Sequence, residues 1–433
     1  MVMENRYDKY KDSGIAWIGE IPEHWDKNKI IRLFSIIGSG TTPKSSKEDN
    51  YIGSVNWIQS GDINGGYIEN CKNTISDTAL KEYPTLKIYK APFIIVAMYG
   101  ASVGNISISN IDGCVNQACC VMNETKQNFK YLFYAMNSVK RYLIYKAEGG
   151  GQPNISQDKI KNTWMPIPPF EEQQSIATYL DQKCGEIDEL ITLQEEMITK
   201  LQSYKQSVIT EAVTKGLDKN VPLKDSGIEW IGKIPEHWSK NKIIRLFSII
   251  GSGTTPKSSK EDNYIGSVNW IQSGDINGSY IENCKNSISN TALKEYPTLK
   301  IYKAPFIIVA MYGASVGNIS ISNIDGCVNQ ACCVMNETKQ NFKYLFYAMN
   351  SVKKYLIYKA EGGGQPNISQ DKIKNTWLPI PPLSEQQSIA DYLDQKCSEI
   401  DELISIKQQK IEKLKDYKKS LIFECVTGKR KVS

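Results

Sequence analysis

The chain repeats itself at a constant offset of 213 residues, and this limits its architecture more than any other feature. Asp12-Ser-Gly-Ile corresponds to Asp225-Ser-Gly-Ile, and residues 12–191 align without a gap to 225–404, with 12 differences in 180 positions. Among the differences are Ala16/Glu229, Glu20/Lys233, Gly66/Ser279, Asp77/Asn290 and Glu171/Ser384. Beyond Ile191 the copies diverge. Near-identity of this kind marks a recent duplication or exchange, so it singles out no residue. It does require two modules of nearly the same surface, and 433 residues leave each enough chain for a core of its own.

Each repeat has two parts. In the first, short apolar runs alternate with turn signals. Val55-Asn-Trp-Ile58 and Pro92-Phe-Ile-Ile-Val-Ala97 are β-branched or aromatic and too short for helices. Asn105-Ile-Ser-Ile-Ser109 alternates with period two, which predicts a half-buried strand. Gly38-Ser-Gly, Gly61-Asp, Asn64-Gly-Gly, Asp112-Gly and Gly149-Gly-Gly punctuate the runs. The stretch from Phe129 to Leu143 puts apolar groups at helical spacing. An α+β domain follows.

The second part predicts a long helix after Pro168-Pro169 or Pro381-Pro382, stopping at Gly216 or Gly428. In the second copy Ser384 and Gln387 have capping-box spacing, and Glu385 suits the positive end of a helix. Leu180, Ile187, Gln194, Leu201 and Val208 recur every seven residues, interleaved with Cys184, Ile191 and Ile198. The second copy gives Leu393, Ile400, Lys407, Leu414 and Leu421, interleaved with Cys397, Ile404 and Ile411. A 3.5-residue seam demands a coiled-coil partner, and the simplest partner for each helix is the other. The polar interruptions Gln194 and Lys407 fall at equivalent seam positions, where they either fix the register or are tolerated by solvation, and tolerance is the favoured reading. Antiparallel pairing gives pseudo-twofold symmetry, matching the twofold axes of duplex DNA and two inverted half-sites. Parallel pairing is the rival, and seam residues alone do not exclude it.

Net charge is +5 and becomes informative only when divided. Residues 1–170 carry +3 and 224–382 carry +6, whereas 171–223 carry −5 and 383–433 carry +1. A modest basic excess on the globular parts suits a polyanion, and the acidic first helix reads as a spacer. The longest apolar stretch, Ala91–Tyr99, is about half a membrane span. The first residues lack an apolar leader, so a cytoplasmic location is expected. Eleven cysteines without C-x-x-C, and two histidines, argue against a disulfide framework or a zinc module.

Several loops offer groups suited to phosphates or base edges. Gly38-Ser-Gly-Thr-Thr-Pro-Lys-Ser45 supplies Thr41, Thr42 and Lys44, and its twin Gly251–Ser258 supplies Thr254, Thr255 and Lys257. Trp57–Asp62 supplies Ser60 and Asp62, with Ser273 and Asp275 as counterparts. Tyr99–Asn105 supplies Tyr99, Ser102 and Asn105, matched by Tyr312, Ser315 and Asn318. Gln117, Gln152 and Asn154 offer amides, as do Gln330, Gln365 and Asn367. Enzyme signatures fail in turn. The Gly38 loop lacks the third glycine of a dinucleotide site and the glycine-lysine of a P-loop. Pro166-Ile-Pro-Pro-Phe170 only superficially matches the Asp/Asn-Pro-Pro-aromatic loop of adenine methyltransferases, because Ile167 replaces the polar residue and Leu383 the aromatic in the second copy. His24 and His237, in Ile-Pro-Glu-His-Trp, read as structural. A repressor or antirestriction protein stays open at this level.

Taken together, the motifs resemble the specificity subunits of Type I restriction-modification systems. They are Ser13–Trp25, Gly40-Thr-Thr-Pro43, Trp57–Asp62, Ala97–Gly104, Asn116-Gln-Ala118, Gly150–Ile155 and Pro166–Ala177. The resemblance covers essentially the whole chain twice. It implies two α+β target-recognition domains, at 1–169 and 217–382. Each is followed by a long spacer helix, at 170–216 and 383–433, and the helices form an antiparallel coiled coil. Seam positions under this reading include Leu180, Ile187, Ile191, Ile198, Leu201, Leu393, Ile400, Ile404, Ile411 and Leu414. It further implies a chain that binds double-stranded DNA without catalysis, cofactor or metal of its own. Two methyltransferase subunits would use S-adenosylmethionine, and ATP-dependent restriction subunits would use ATP and Mg. Family members usually pair dissimilar recognition domains. Nearly identical ones here predict an interrupted palindrome as target.

Overall fold

The computed structural model describes residues 6–146, 154–358 and 367–432. The chain divides into two compact units: residues up to 194 with those from 409 onward, and residues 195–408.

The first unit centres on a five-stranded sheet in the order Ile36–Ser39, Cys119–Asn123, Phe93–Ala97, Ile106–Ser109, Tyr67–Ile68. Neighbours are antiparallel except the last pair, which is parallel. Phe93–Ala97 is buried throughout because both sheet faces are covered. Ile94 and Val96 point into the core beneath the helix Phe129–Tyr145, while Phe93, Ile95 and Ala97 fill a second core on the opposite face. That helix is started by Asn128, whose side chain accepts the Tyr131 N–H. It buries Tyr131, Leu132, Phe133, Tyr134, Ala135, Met136, Val139 and Leu143. Each large apolar side chain among them contributes roughly 1.5–3 kcal/mol of transfer free energy. A smaller sheet, Cys114–Val115, Val55–Ile58 and Thr74–Ile75, has its own core around Trp57.

The two long helices are Phe170–Lys215 and Leu383–Val426, and each is shared between the units. Within the first unit, Lys418 Nζ meets both carboxylate oxygens of Asp188 at 2.7 and 2.6 Å. Farther along, Leu421, Cys425 and Val426 share a core with Ile176, Ala177 and Leu180. Rising numbers on one helix meet falling numbers on the other, so this pair is antiparallel. The second unit shows the same sense by itself. Lys205 Nζ holds Asp401 at 2.7 Å, and Ile209, Ala212 and Val213 pack with Ile389, Leu393 and Cys397. These ion pairs are partly exposed and contribute at most about 1 kcal/mol each.

The second unit repeats the sheets, caps and cores of the first, with one topological difference. Its helix segment 195–215 runs directly into its strands, whereas the first unit takes the equivalent segment from residues 409–426. The equivalence is specific. Fully buried Tyr131 Oη donates to Pro166 O at 2.8 Å and Val426 O at 3.2 Å, and Tyr344 Oη donates to Pro379 O at 2.7 Å and Val213 O at 3.3 Å. Both helices are followed by a left-handed glycine lying against a tryptophan: Gly216 on Trp238, and Gly428 on Trp25 and Pro22. In the first unit the junction is also clasped by side chains. Tyr10 Oη donates to Gly428 O (2.9 Å), Lys429 Nζ to Ile18 O (2.8 Å) and Tyr7 Oη to Glu172 Oε2 (2.9 Å).

Three expectations need correcting. Ile106–Ser109 is buried throughout rather than half-buried. Ser107 and Ser109 make polar alternation compatible with burial: Ser107 Oγ accepts the Gly65 N–H, and Ser109 Oγ donates to Ile111 O. Ser384 is not a cap, because the helix starts at Leu383 directly after Pro382 and Ser384 is already inside its first turn. Gln194 is not solvated. It is 5% exposed, and its Oε1 has no hydrogen-bond partner among the described residues.

Candidate nucleic-acid interface

In each unit one end of the five-stranded sheet gathers several loops into a ring. Phe93–Ala97 ends there and Ile106–Ser109 starts there, so the intervening segment must reverse within eight residues. It does so through Gly100 and Gly104, both left-handed, a conformation that side chains bearing Cβ rarely adopt. Ala97 N–H donates to Asn105 O (2.9 Å) and Gly104 N–H to Ala97 O (2.8 Å), closing the turn. Three further bonds draw in the neighbours. Asn105 Nδ2 donates to Ile63 O (2.9 Å), Met98 N–H to Ala118 O (2.7 Å) and Ile155 N–H to Met98 O (2.9 Å). Asn116 N–H donates to Ile58 O at 3.1 Å, tying the smaller sheet to the same edge.

This brings together segments 59–63, 98–105, 116–118 and 154–155, and with them Ser60, Asp62, Tyr99, Ser102, Asn105, Gln117 and Asn154. Their tasks differ. Gln117 and Asn154 are exposed, and Tyr99, Ser60 and Ser102 are half-buried at the rim. Asp62 is occupied, because its Oδ2 accepts the Gln59 N–H at 2.8 Å in a reciprocal cap of the turn Ser60–Asp62. Asn105 builds the ring. Thr41, Thr42 and Lys44 leave it at Gly40, where an added Cβ would lie 1.5 Å from Val115 O. Their loop is fastened to the smaller sheet's flank. Thr41 Oγ1 lies 2.7 Å from Thr85 Oγ1, Lys44 N–H donates to Tyr83 Oη (3.2 Å), and Tyr51 Oη donates to Pro43 O (2.6 Å).

The second unit places Ser273, Asp275, Tyr312, Ser315, Asn318, Gln330 and Asn367 identically. Asn318 Nδ2 donates to Ile276 O (2.9 Å), Met311 N–H to Ala331 O (2.7 Å) and Ile368 N–H to Met311 O (2.9 Å). Thr254, Thr255 and Lys257 again diverge toward Thr298 and Tyr296. Gln152 and Gln365 lie outside the described residues.

One ring residue escaped sequence reasoning. Lys140, on the helix Phe129–Tyr145, donates from Nζ to Asn105 Oδ1 at 2.6 Å, and Lys353 does the same to Asn318. Burial holds both ammonium groups below the usual lysine range. The available signal was a cation set into an apolar stripe, between Met136 and Ile144 at helical spacing.

On the seam, Leu180, Ile187, Leu393, Ile400 and Ile411 are buried, and Ile191, Ile198, Leu201, Ile404 and Leu414 are half-buried. At the start of the first long helix, His24 Nε2 lies 2.6 Å from Glu172 Oε1, and Trp25 Nε1 donates to Glu172 Oε2 at 3.0 Å. His237, Trp238 and Glu385 repeat the arrangement at 2.7 and 2.9 Å. Both histidines thus orient helix starts. Among the described residues no cluster of His, Cys, Asp or Glu is arranged to hold a metal ion, and no helix is long and apolar enough to cross a membrane.

The family described as Type I restriction modification DNA specificity domain matches twice, over residues 22–202 and 235–416. Two relatives in Methanocaldococcus jannaschii agree. The type I restriction enzyme MjaVIII specificity subunit is 27% identical, over 70% of this chain and 70% of its own. The MjaIX specificity subunit is 24% identical, over 96% and 95%. A solved chain, described in terms of complex assembly and conformational transition of the type I R-M system, shares the fold with a TM-score of 0.71 at 17% identity. It covers 94% of this chain and 99% of that one. Repeat, helices, loop ring and family match converge: the chain belongs to the Type I restriction-modification DNA specificity family and carries two copies of its domain.

Proposed function

We propose that this chain directs partner subunits to a bipartite, palindromic DNA target: one short half-site, a nonspecific spacer, and its reverse complement. One observation carries the reading. None of the 12 differences between the repeats falls in the ring segments 59–63, 98–105, 116–118 or 154–155 or their counterparts. Two rings of identical composition and bonding select the same half-site. Methyl transfer to adenine, and ATP-dependent cleavage of unmodified DNA, then belong to two methyltransferase subunits and to restriction subunits. Those partners use S-adenosylmethionine, ATP and Mg. The long helices, with Leu190, Leu193, Leu403 and Ile406 exposed on them, supply apolar docking surface for such partners. The test is a map of methylated adenines in cells expressing the chain with its methyltransferase. Inverted identical half-sites are expected, and an asymmetric pair refutes the palindrome. Inserting four residues into both helices lengthens each by ~6 Å. It should change the spacer and leave the half-sites intact.

A further inference from the structure

The ammonium of Lys140 has three donors, and among the described residues one acceptor, Asn105 Oδ1. Its stem is pinned, since an added Cβ on Gly104 would lie 3.5 Å from Lys140 Cγ and 3.0 Å from Ile144. The head is therefore delivered to the ring by a rigid helix rather than waving from the surface. A half-buried cation held at a fixed place beside the ring, with donors to spare, is poised to take an anionic oxygen. Lys353 repeats the arrangement, with the same acceptor geometry at 2.6 Å and the same pinning by Gly317.

We infer that Lys140 and Lys353 each bind a DNA phosphate, fixing the register of the loop ring on one half-site. The inference rests on the DNA-recognition reading and adds the residue that anchors it. Lysine acts here as a point charge, so its contribution is independent of base sequence.

The experiment uses the full chain assembled with its methyltransferase subunits. Binding to a duplex carrying the methylome-defined site is measured as a function of salt. Lys140→Gln keeps a donor for Asn105 and removes the charge. It should make the slope of log affinity against log salt shallower by about 0.9, and the double variant with Lys353→Gln by about 1.8. Lys140→Arg should retain the wild-type slope. The methylated sequence should be the same for every variant. An unchanged slope in folded Lys140→Gln and Lys353→Gln protein overturns the phosphate contact, and so does an altered half-site, which would mean base reading. If Lys140→Gln does not fold, Lys353→Gln carries the same measurement in the other unit; if neither folds, amine acylation of the wild-type complex decides, since the duplex should protect Lys140 and Lys353 and equal labelling with and without DNA overturns the contact. A wild-type complex that does not bind the duplex at all overturns DNA recognition itself, a separate failure.

Discussion

Replacing Tyr131 by Phe tests how the first unit is closed. The Tyr131 hydroxyl is fully buried and serves two carbonyls: Pro166 O in a strand, and Val426 O at the end of a helix segment that arrives from more than 200 residues away. Phe preserves the ring and its packing, so the loss is confined to the donor. Removing a buried donor that serves two carbonyls costs about 2 kcal/mol. For a unit of this size that corresponds to a Tm lowered by roughly 4–8 °C. Tyr344→Phe is the internal control, with the same two bonds inside an uninterrupted stretch of chain. Calorimetry should show comparable shifts for the two variants. Hydrogen exchange should show residues 420–426 losing more protection in Tyr131→Phe than residues 207–213 lose in Tyr344→Phe, because only the latter segment is tethered nearby. A Tyr344→Phe effect without a Tyr131→Phe effect would refute the seating of residues 409–426 in the first unit.

Glu172→Gln should destabilise the first unit near neutral pH. Burial pushes the Glu172 carboxyl up, but hydrogen bonds from His24, Tyr7 and Trp25 outweigh it and leave the group below the usual carboxylate range. Its contribution is therefore complete above that range and lost as pH falls through the lowered value, so urea titrations of variant and wild type should converge in acid. Gly40→Ala, with Val115 O in the way of the new Cβ, should abolish soluble expression. Gly61→Ala, which meets nothing within 4 Å, should express and melt like wild type. Gln194→Leu removes a buried oxygen without a partner and should raise the urea midpoint, by about 1 kcal/mol in free energy.

Much of the architecture is readable from residue periodicity. Val55–Ile58 appears where β-branched and aromatic residues fill a run too short for a helix, and the long helices appear where a 3.5-residue seam puts them. Pairing direction was also present in the sequence, in charge rather than in the seam. Residues 170–194 carry −5 and 383–408 carry −4, while 195–215 are neutral and 409–426 carry +2. Parallel helices would set the two acidic halves together. Antiparallel ones give Asp188 a lysine at 418 and Asp401 a lysine at 205. The ring was legible as polar turns but not as a construction. Nothing in the sequence separates Asn105, which ties loops together, from Gln117, which faces outward. Nor does the heptad pattern, running through Gln194 without a break, show that one unit ends there.

The first unit's dependence on residues 409–426 has a consequence during synthesis. Its strands are made first, yet it is finished last, since the second unit is contiguous and has all its parts once residue 408 has cleared the ribosome. Until residues 409–426 follow, the core that holds Leu180, Cys184 and Ile187 lacks Leu421, Cys425 and Val426. A nascent chain that stalls between the two events holds one finished reader and one visibly incomplete one. Synthesis of residues 409–426 thus becomes a folding condition for strands made more than 200 residues earlier.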